Sequence, residues 1–157
     1  HGRGWDKYTE QLASKNELAR TRELLTLVRA GVPSAFRGRI WVALSRCGDV
    51  KAQYAPSYYR DVVHGDEFKQ ATKASSDIDK DLRRTFPGHR TFQTDEGIEA
   101  LRRVLVAYSV HNPEVGYCQS LNYICAVLLL FVNEEESFWL LDTIVTRILP
   151  GKYYSAT

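Results

Sequence analysis

The sequence predicts an all-α domain. Three observations carry that prediction: apolar residues recur at spacings of three and four, helix start and stop signals bracket those runs, and no segment reads as a convincing strand. The chain has 157 residues, 44% hydrophobic and 25% charged, which suits one domain with a real core rather than two.

Leu18, Leu24, Leu25 and Val28 mark one face of a first helix, which Gly31 can close as a C-terminal cap. Pro33 fits the first turn of a second helix, where its missing N–H costs nothing. Phe36, Ile40, Trp41 and Leu44 form the buried stripe of that helix. A tyrosine-rich patch (Tyr54, Tyr58, Tyr59) with Val62 and Val63 predicts a short third helix from about Pro56. Residues 64–75 are polar and read as a surface loop. Ser76 followed by Asp79 signals a helix start of the capping-box type; Ile78 and Leu82 anchor that helix, and Phe86-Pro87-Gly88 ends it. Thr94 suits the N-cap of the next helix, whose core stripe is Ile98, Leu101, Val104, Leu105 and Tyr108. Asn112-Pro113 stops it, and Glu114-Val115-Gly116 is a tight connection. The run from about Gln119 to Val132 is apolar nearly all round, so it is expected at the centre of the fold. Asn133 with Glu136 caps the last long helix, lined by Phe138, Leu141, Ile144, Val145 and Ile148 up to Pro150.

Bulk properties remove several function classes. Net charge is only +2, so nothing global demands nucleic acid or an anionic membrane. Six arginines crowd between Arg20 and Arg46 against the single acid Glu23, but no aromatic stacking platform lies among them. Cys47, Cys118 and Cys125 make no disulfide framework and suit reduced thiols in a cytosolic protein. The four histidines show no metal-ligand spacing to one another or to the cysteines, so no metal is expected. Cys118 with His111 is a conceivable thiol–base pair, yet a cysteine opening a buried helix is far more often packing. The N-terminus has no signal-peptide apolar region, and the longest apolar stretch is too short to span a bilayer. No phosphate-binding G-x-x-x-x-G-K-[ST] loop exists, so the chain does not itself cradle GTP in the usual way.

Three short motifs stand in order. Arg37-Gly38-Arg39-Ile40-Trp41 carries R-x-x-x-W, preceded by Gly31-Val32-Pro33. Ile78-Asp79-Lys80-Asp81-Leu82-Arg83-Arg84 carries I-x-x-D-x-x-R and runs into Thr85-Phe86-Pro87. Gly116-Tyr117-Cys118-Gln119-Ser120-Leu121-Asn122 carries Y-x-Q. Each alone can arise by chance. The ordered set, with Glu134-Glu135-Glu136 before Phe138-Trp139, resembles the TBC family of Rab GTPase activators over roughly residues 31 to 154.

That resemblance implies a GTPase-activating protein acting on a GTP-bound Rab-type small GTPase in vesicle trafficking. Such a domain turns over no substrate of its own. It supplies catalytic residues in trans and needs no cofactor, because GTP and Mg²⁺ sit on the partner. Hydrolysis spreads negative charge over the γ-phosphoryl and bridging oxygens, which a guanidinium meets with fork geometry that an ammonium cannot match. The resemblance puts Arg84 in that role. Arg84 ends a short helix before the Phe86-Pro87-Gly88 break, and Asp81, three residues earlier, shares its face and can steer it. Read without the motif, Arg84 is a surface arginine paired with Asp81. The same resemblance makes Gln119 the amide that orients the attacking water; read alone, it is a helix-start glutamine bonding free backbone N–H groups. Tyr117 and Asn122 are expected to support the loop, Ile78 to anchor the helix, and Trp41 to be core. Arg37 is expected to tie its helix to the loops holding Arg84 or Gln119, with contact to the GTPase as the lesser reading.

Two departures from the family pattern stand out. Ser120 occupies a position where glycine is usual, and serine is small enough to be tolerated there. A family domain also carries a second helical block after the glutamine motif. Residues 1–30 therefore read as an N-terminal extension with a first helix, and 31–157 as the N-terminal subdomain with its C-terminal counterpart missing. The expected setting is cytoplasmic, with recruitment to endomembranes through other regions and no transmembrane segment. The alternatives are a non-catalytic TBC-like scaffold that binds a small GTPase or another protein, and an unrelated helical interaction domain.

Overall fold

The computed structural model describes residues 4–15, 17–151 and 153–154, and among them every regular element is helical. The all-α expectation holds. In order these are α1 (Asp6–Lys15), α2 (Arg22–Ala30), α3 (Ser34–Ser45), α4 (Cys47–Lys51), α5 (Tyr58–Val63), α6 (Asp66–Gln70), α7 (Thr72–Leu82), a 3₁₀ turn (Arg90–Gln93), α8 (Asp95–His111), α9 (Leu121–Leu129), α10 (Glu134–Thr143) and a π turn (Ile144–Ile148).

The start of the chain holds two helices where one was expected. Trp5, Tyr8 and Leu12, spaced three and four apart, bury one face of α1 against Leu18, Leu24, Ile40 and Ala43. Leu18 lies between α1 and α2 rather than on a helix, and Leu25 is partly exposed. Thr21 caps α2 by accepting from the Leu24 N–H, and Gly31 closes it at φ 117°, where a Cβ would be strained. Pro33 stands one residue before α3, at its N-cap. The helix then divides its contacts: Ile40 and Ala43 face the first cluster, while Trp41 and Val42 pack against the larger core.

That larger core is built around α8, which packs on α7, α9 and α10. Leu101, Val104, Leu105 and Tyr108 are essentially inaccessible along it, and each large apolar side chain so buried stabilises by about 1.5–3 kcal/mol. Its ends follow the sequence: the Thr94 hydroxyl accepts from Gly97 N–H, and Asn112 terminates the helix. The capping box on α10 is also present in both halves, Asn133 with the Glu136 N–H and Glu136 with the Asn133 N–H. The two acids before Glu136 have other tasks. Glu134 takes a forked pair of bonds from Arg103 and the Tyr59 hydroxyl at 2.6 Å, joining α8, α5 and α10. Burial alone pushes the Glu134 carboxyl up, but Arg103 and Tyr59 outweigh it and hold it below the usual range. Glu135 pairs with Lys51 of α4 at 2.7 Å.

Further expectations fail. Residues 64–75 are not a loop: α6 lies within them and α7 begins at Thr72, so Ser76 is inside a helix rather than capping one. The polar run conceals Phe68, Ala71 and Ala74, which pack on the main core and make the helical path pay. The helix beginning at Leu121 is not buried all round either. Leu121, Cys125 and Ala126 are inaccessible, but Tyr123 and Val127 on the other face are partly exposed. With Trp41, Leu44, Ile144 and Ile148 they line an apolar groove of about 600 Å³. Trp41, expected in the core, is half-buried at this groove with its ring edge-on to Phe131 at 5.0 Å.

A cleft that unites an arginine and a glutamine

Arg84 sits two residues past the end of α7. Its N–H still bonds the Asp81 carbonyl at 3.1 Å, so its backbone continues the last helical turn. Ile78 and Leu82, both buried, seat that turn on the core. The Arg84 guanidinium bonds Asp81 Oδ1, yet the arginine side chain remains 65% exposed while that of Asp81 is 10% exposed. The arginine is thus tethered through its guanidinium to a nearly buried carboxylate while most of its side chain stays open to solvent.

Asp81 is the hub. Its second oxygen, Oδ2, accepts from the Tyr117 hydroxyl at 2.5 Å. Burial pushes the Asp81 carboxyl up, but the bonds from Tyr117 and Arg84, with the charges of Arg84 and Lys80, outweigh it and hold it below the usual carboxylate range. Conversely, burial first and then the Asp81 carboxylate push the Tyr117 phenol far up, so it stays a donor. Tyr117 therefore carries the loop before α9 onto the last turn of α7, and Gln119 follows two residues later. Gln119 is exposed and stands before α9, not within it.

Arg84 and Gln119 line the same cleft, of about 220 Å³, together with Asp77, Lys80, Asp81, Tyr117 and Cys118. Burial raises the Cys118 thiol and nothing there lowers it, which is the wrong direction for a nucleophilic thiolate. His111 is committed elsewhere, bonded to Tyr58 at 2.7 Å and beside Asp142. No group of His, Cys, Asp and Glu among the described residues is arranged to hold a metal ion. What the cleft offers is two exposed cations, Arg84 and Lys80, and one exposed amide along a common lining.

Arg37 does not join them. Its Nε donates to the Val32 carbonyl at 2.8 Å and its guanidinium lies 5.5 Å from the centre of the Phe131 ring. It fixes the entry to α3 against the segment after α9, not the loops of Arg84 or Gln119. The residue beside it, Gly38, passed unremarked in the sequence. A Cβ there would stand 2.2 Å from the Phe131 carbonyl oxygen, so the close approach of α3 to that segment requires glycine. Two further residues gain importance from the structure, Thr85 and Asn122, which are buried between the two loops. Position next to Arg84 was the one signal for Thr85.

Ser120 is a finding of its own. Its φ of 101° lies in backbone space that favours glycine, which explains the expected glycine there better than side-chain size does. Its hydroxyl bonds Tyr154 at 3.0 Å.

No helix among the described residues is long and apolar enough to cross a membrane. Residues 34–157 match the family described as Rab-GTPase-TBC domain. The chain is 40% identical over 157 residues to TBC1 domain family member 2B of Xenopus tropicalis, covering 98% of itself and 16% of that protein. Against TBC1 domain family member 2B of Mus musculus it is 38% identical over 160 residues, again 98% of this chain and 16% of the relative. Among solved structures it superposes on the Chlamydomonas flagellar RabGAP TBC domain with TM-score 0.82 and 34% identity, covering 98% of this chain and 53% of that one. It thus spans about half of that solved chain and a small part of the curated relatives. On the family match, the identity to these relatives and the shared fold, the chain belongs to the Rab-GTPase-TBC domain family.

Proposed function

We propose that this domain stimulates GTP hydrolysis on a GTP-bound Rab-type small GTPase by inserting Arg84 and Gln119 together. The observation that carries the reading is their shared cleft: a largely exposed arginine, tethered only to Asp81, and an exposed amide line it together. Arg84 meets the charge that develops on the transferring phosphoryl group, a contribution worth about 10³–10⁵ in rate for an arginine finger. Leaving Asp81 for the phosphate exchanges one charge-assisted bond for another, so the approach has little electrostatic cost. Gln119 orients the attacking water. The partner holds GTP and Mg²⁺, and this chain contributes no cofactor.

The test is a single-turnover GTP hydrolysis screen of the full-length protein against many purified Rabs. At least one Rab is expected to hydrolyse GTP faster than its intrinsic rate, and Arg84→Ala is expected to abolish that gain. If no Rab is accelerated while some are bound, the domain is a GTPase-binding scaffold instead.

A further inference from the structure

The loops that carry Arg84 and Gln119 meet through one hydroxyl and one amide in the interior. Thr85, directly after the arginine, is 0% exposed, and Asn122, near the start of α9, is 2% exposed. Asn122 Nδ2 donates to Thr85 Oγ1 at 2.8 Å. Asn122 Oδ1 accepts the backbone N–H of Ser120 at 3.0 Å. The Thr85 hydroxyl in turn donates to the Asp81 carbonyl at 2.7 Å. One unbroken chain of bonds therefore runs from the residue after Gln119 to the last turn of α7, below Arg84.

We propose that Thr85 and Asn122 are positioning residues that lock the two finger turns into one rigid unit, so that Arg84 and Gln119 reach the partner in a single fixed geometry. The proposal rests on the activator reading. Residue chemistry is restrictive at both places. Asn122 must accept and donate at once, which an amide does and a carboxylate or an alkyl group does not. Thr85 must likewise donate and accept through one atom. Thr85 Oγ1, Asn122 Oδ1 and Asn122 Nδ2 each have a partner inside the protein, the condition under which a buried network rigidifies rather than destabilises. The clamp also acts on backbone: it holds the N–H of Ser120, whose φ of 101° needs surroundings that over-determine it. The Tyr117–Asp81 bond differs in kind, since it lies on the cleft wall and its carboxylate is shared with the arginine that must leave.

Thr85→Val keeps the shape and removes both bonds; Thr85→Ser keeps the hydroxyl. In single-turnover assays with the full-length protein, Thr85→Val is expected to lower the stimulated rate at saturating GTPase by on the order of 10²-fold, the usual penalty for misplacing a reacting group by about 1 Å. Half-saturation should stay at the wild-type value, and Thr85→Ser should restore the rate. In a Gln119→Ala background the further effect of Thr85→Val should be smaller than in the wild type, because part of the clamp's action runs through that side chain and the rest through Arg84. An unchanged rate in Thr85→Val, a loss confined to half-saturation, or full additivity with Gln119→Ala overturns the clamp. Thr85→Cys, similar in volume with only a weak donor, replaces Val should Val not fold. Hydrogen exchange gives a readout without any GTPase: the Ser120 amide should lose protection in Thr85→Val and keep it in Thr85→Ser. Equal protection in both refutes the clamp even if no Rab is accelerated, whereas a silent Rab screen with lost protection refutes only the activator reading.

Discussion

Replacing Ser120 by glycine should stabilise the protein, although it removes a hydrogen bond. At φ 101° a residue with a Cβ carries strain of about 1–3 kcal/mol, which glycine does not. Against that relief stand two costs. Glycine raises the entropy of the unfolded chain, worth about 0.5–1 kcal/mol. The bond between Ser120 Oγ and the Tyr154 hydroxyl is lost, worth about 0.5–1 kcal/mol for a half-exposed neutral pair. Taking about 2 kcal/mol for the strain, the balance is a gain of about 0.5 kcal/mol or somewhat more. Alanine is the control that isolates strain: it keeps the Cβ and loses the same bond, so it should destabilise by about 0.5–1 kcal/mol. The informative quantity is the difference, about 1–1.5 kcal/mol in favour of glycine, or roughly 2–6 °C in Tm for a chain of this size. Thermal and urea unfolding of the three proteins measure it. If Ser120→Gly is as destabilising as Ser120→Ala, the backbone there is not strained and the physical reason given for the family's glycine is wrong.

Three further outcomes are expected. Arg84→Lys should lose at least about 10³ of the stimulated rate, as Arg84→Ala does, because lysine keeps charge and loses the fork; a near-active Lys variant removes Arg84 from the finger role in hydrolysis assays. Mutating the Rab's own catalytic glutamine should be tolerated in the presence of this domain while Gln119→Ala is not; the reverse result shows that the GTPase orients its own water. Glu134 has a folded pKa below its ordinary 4.5, so it binds fewer protons folded than unfolded, and its contribution is present above pH 4.5 and lost as pH falls through the folded value. Glu134→Gln should therefore lower Tm at neutral pH, by about 1 kcal/mol of stability for a pair this exposed, and flatten the acid side of the Tm–pH curve, while an unchanged curve refutes that linkage.

The side-chain caps at Thr94 and Asn133 were legible in the sequence, the Thr21 cap of α2 was not, and neither were the helix ends set by distant packing. Thr94, Asn133 and Glu136 bond within three residues of themselves, so their signals are local. α1 and the first turn of α7 are polar stretches stabilised by a few buried residues such as Tyr8 and Leu12, whose partners lie elsewhere in the chain. The same division runs through the site. Spacing alone put Asp81 beside Arg84, and the order of the motifs brought Gln119 into consideration. The Tyr117–Asp81 and Asn122–Thr85 bonds span 36 and 37 residues, and no local pattern encodes them. Arg37 was misplaced for that reason: a guanidinium takes whatever carbonyl and ring the tertiary fold offers, here Val32 and Phe131.

The apolar groove sets the last test. It shares no lining residue with the Arg84 cleft, and its walls are almost wholly carbon: Trp41, Leu44, Tyr123, Val127, Ile144 and Ile148. Val127 is 36% exposed and Ile148 59%. Apolar side chains gathered along one open groove are a natural contact surface for further chain or a second molecule. The Chlamydomonas domain, whose fold this chain shares, is nearly twice as long, so it has additional chain able to cover such a surface. Residues 1–157 expressed alone should therefore self-associate through this groove, whereas a chain extended to the length of that domain should not. Val127→Glu with Ile148→Glu should return the short form to a monomer, because a carboxylate buried at an apolar contact costs more than the contact yields. The short form should also stimulate hydrolysis poorly, since Trp41 and Ile124 join groove and core and an unsettled groove loosens the helix that follows Gln119. Light scattering across concentration and single-turnover hydrolysis, short form beside extended form, decide it. A short form that is monomeric at every concentration and as active as the extended one would show that the groove needs no cover and that residues 1–157 are functionally self-sufficient.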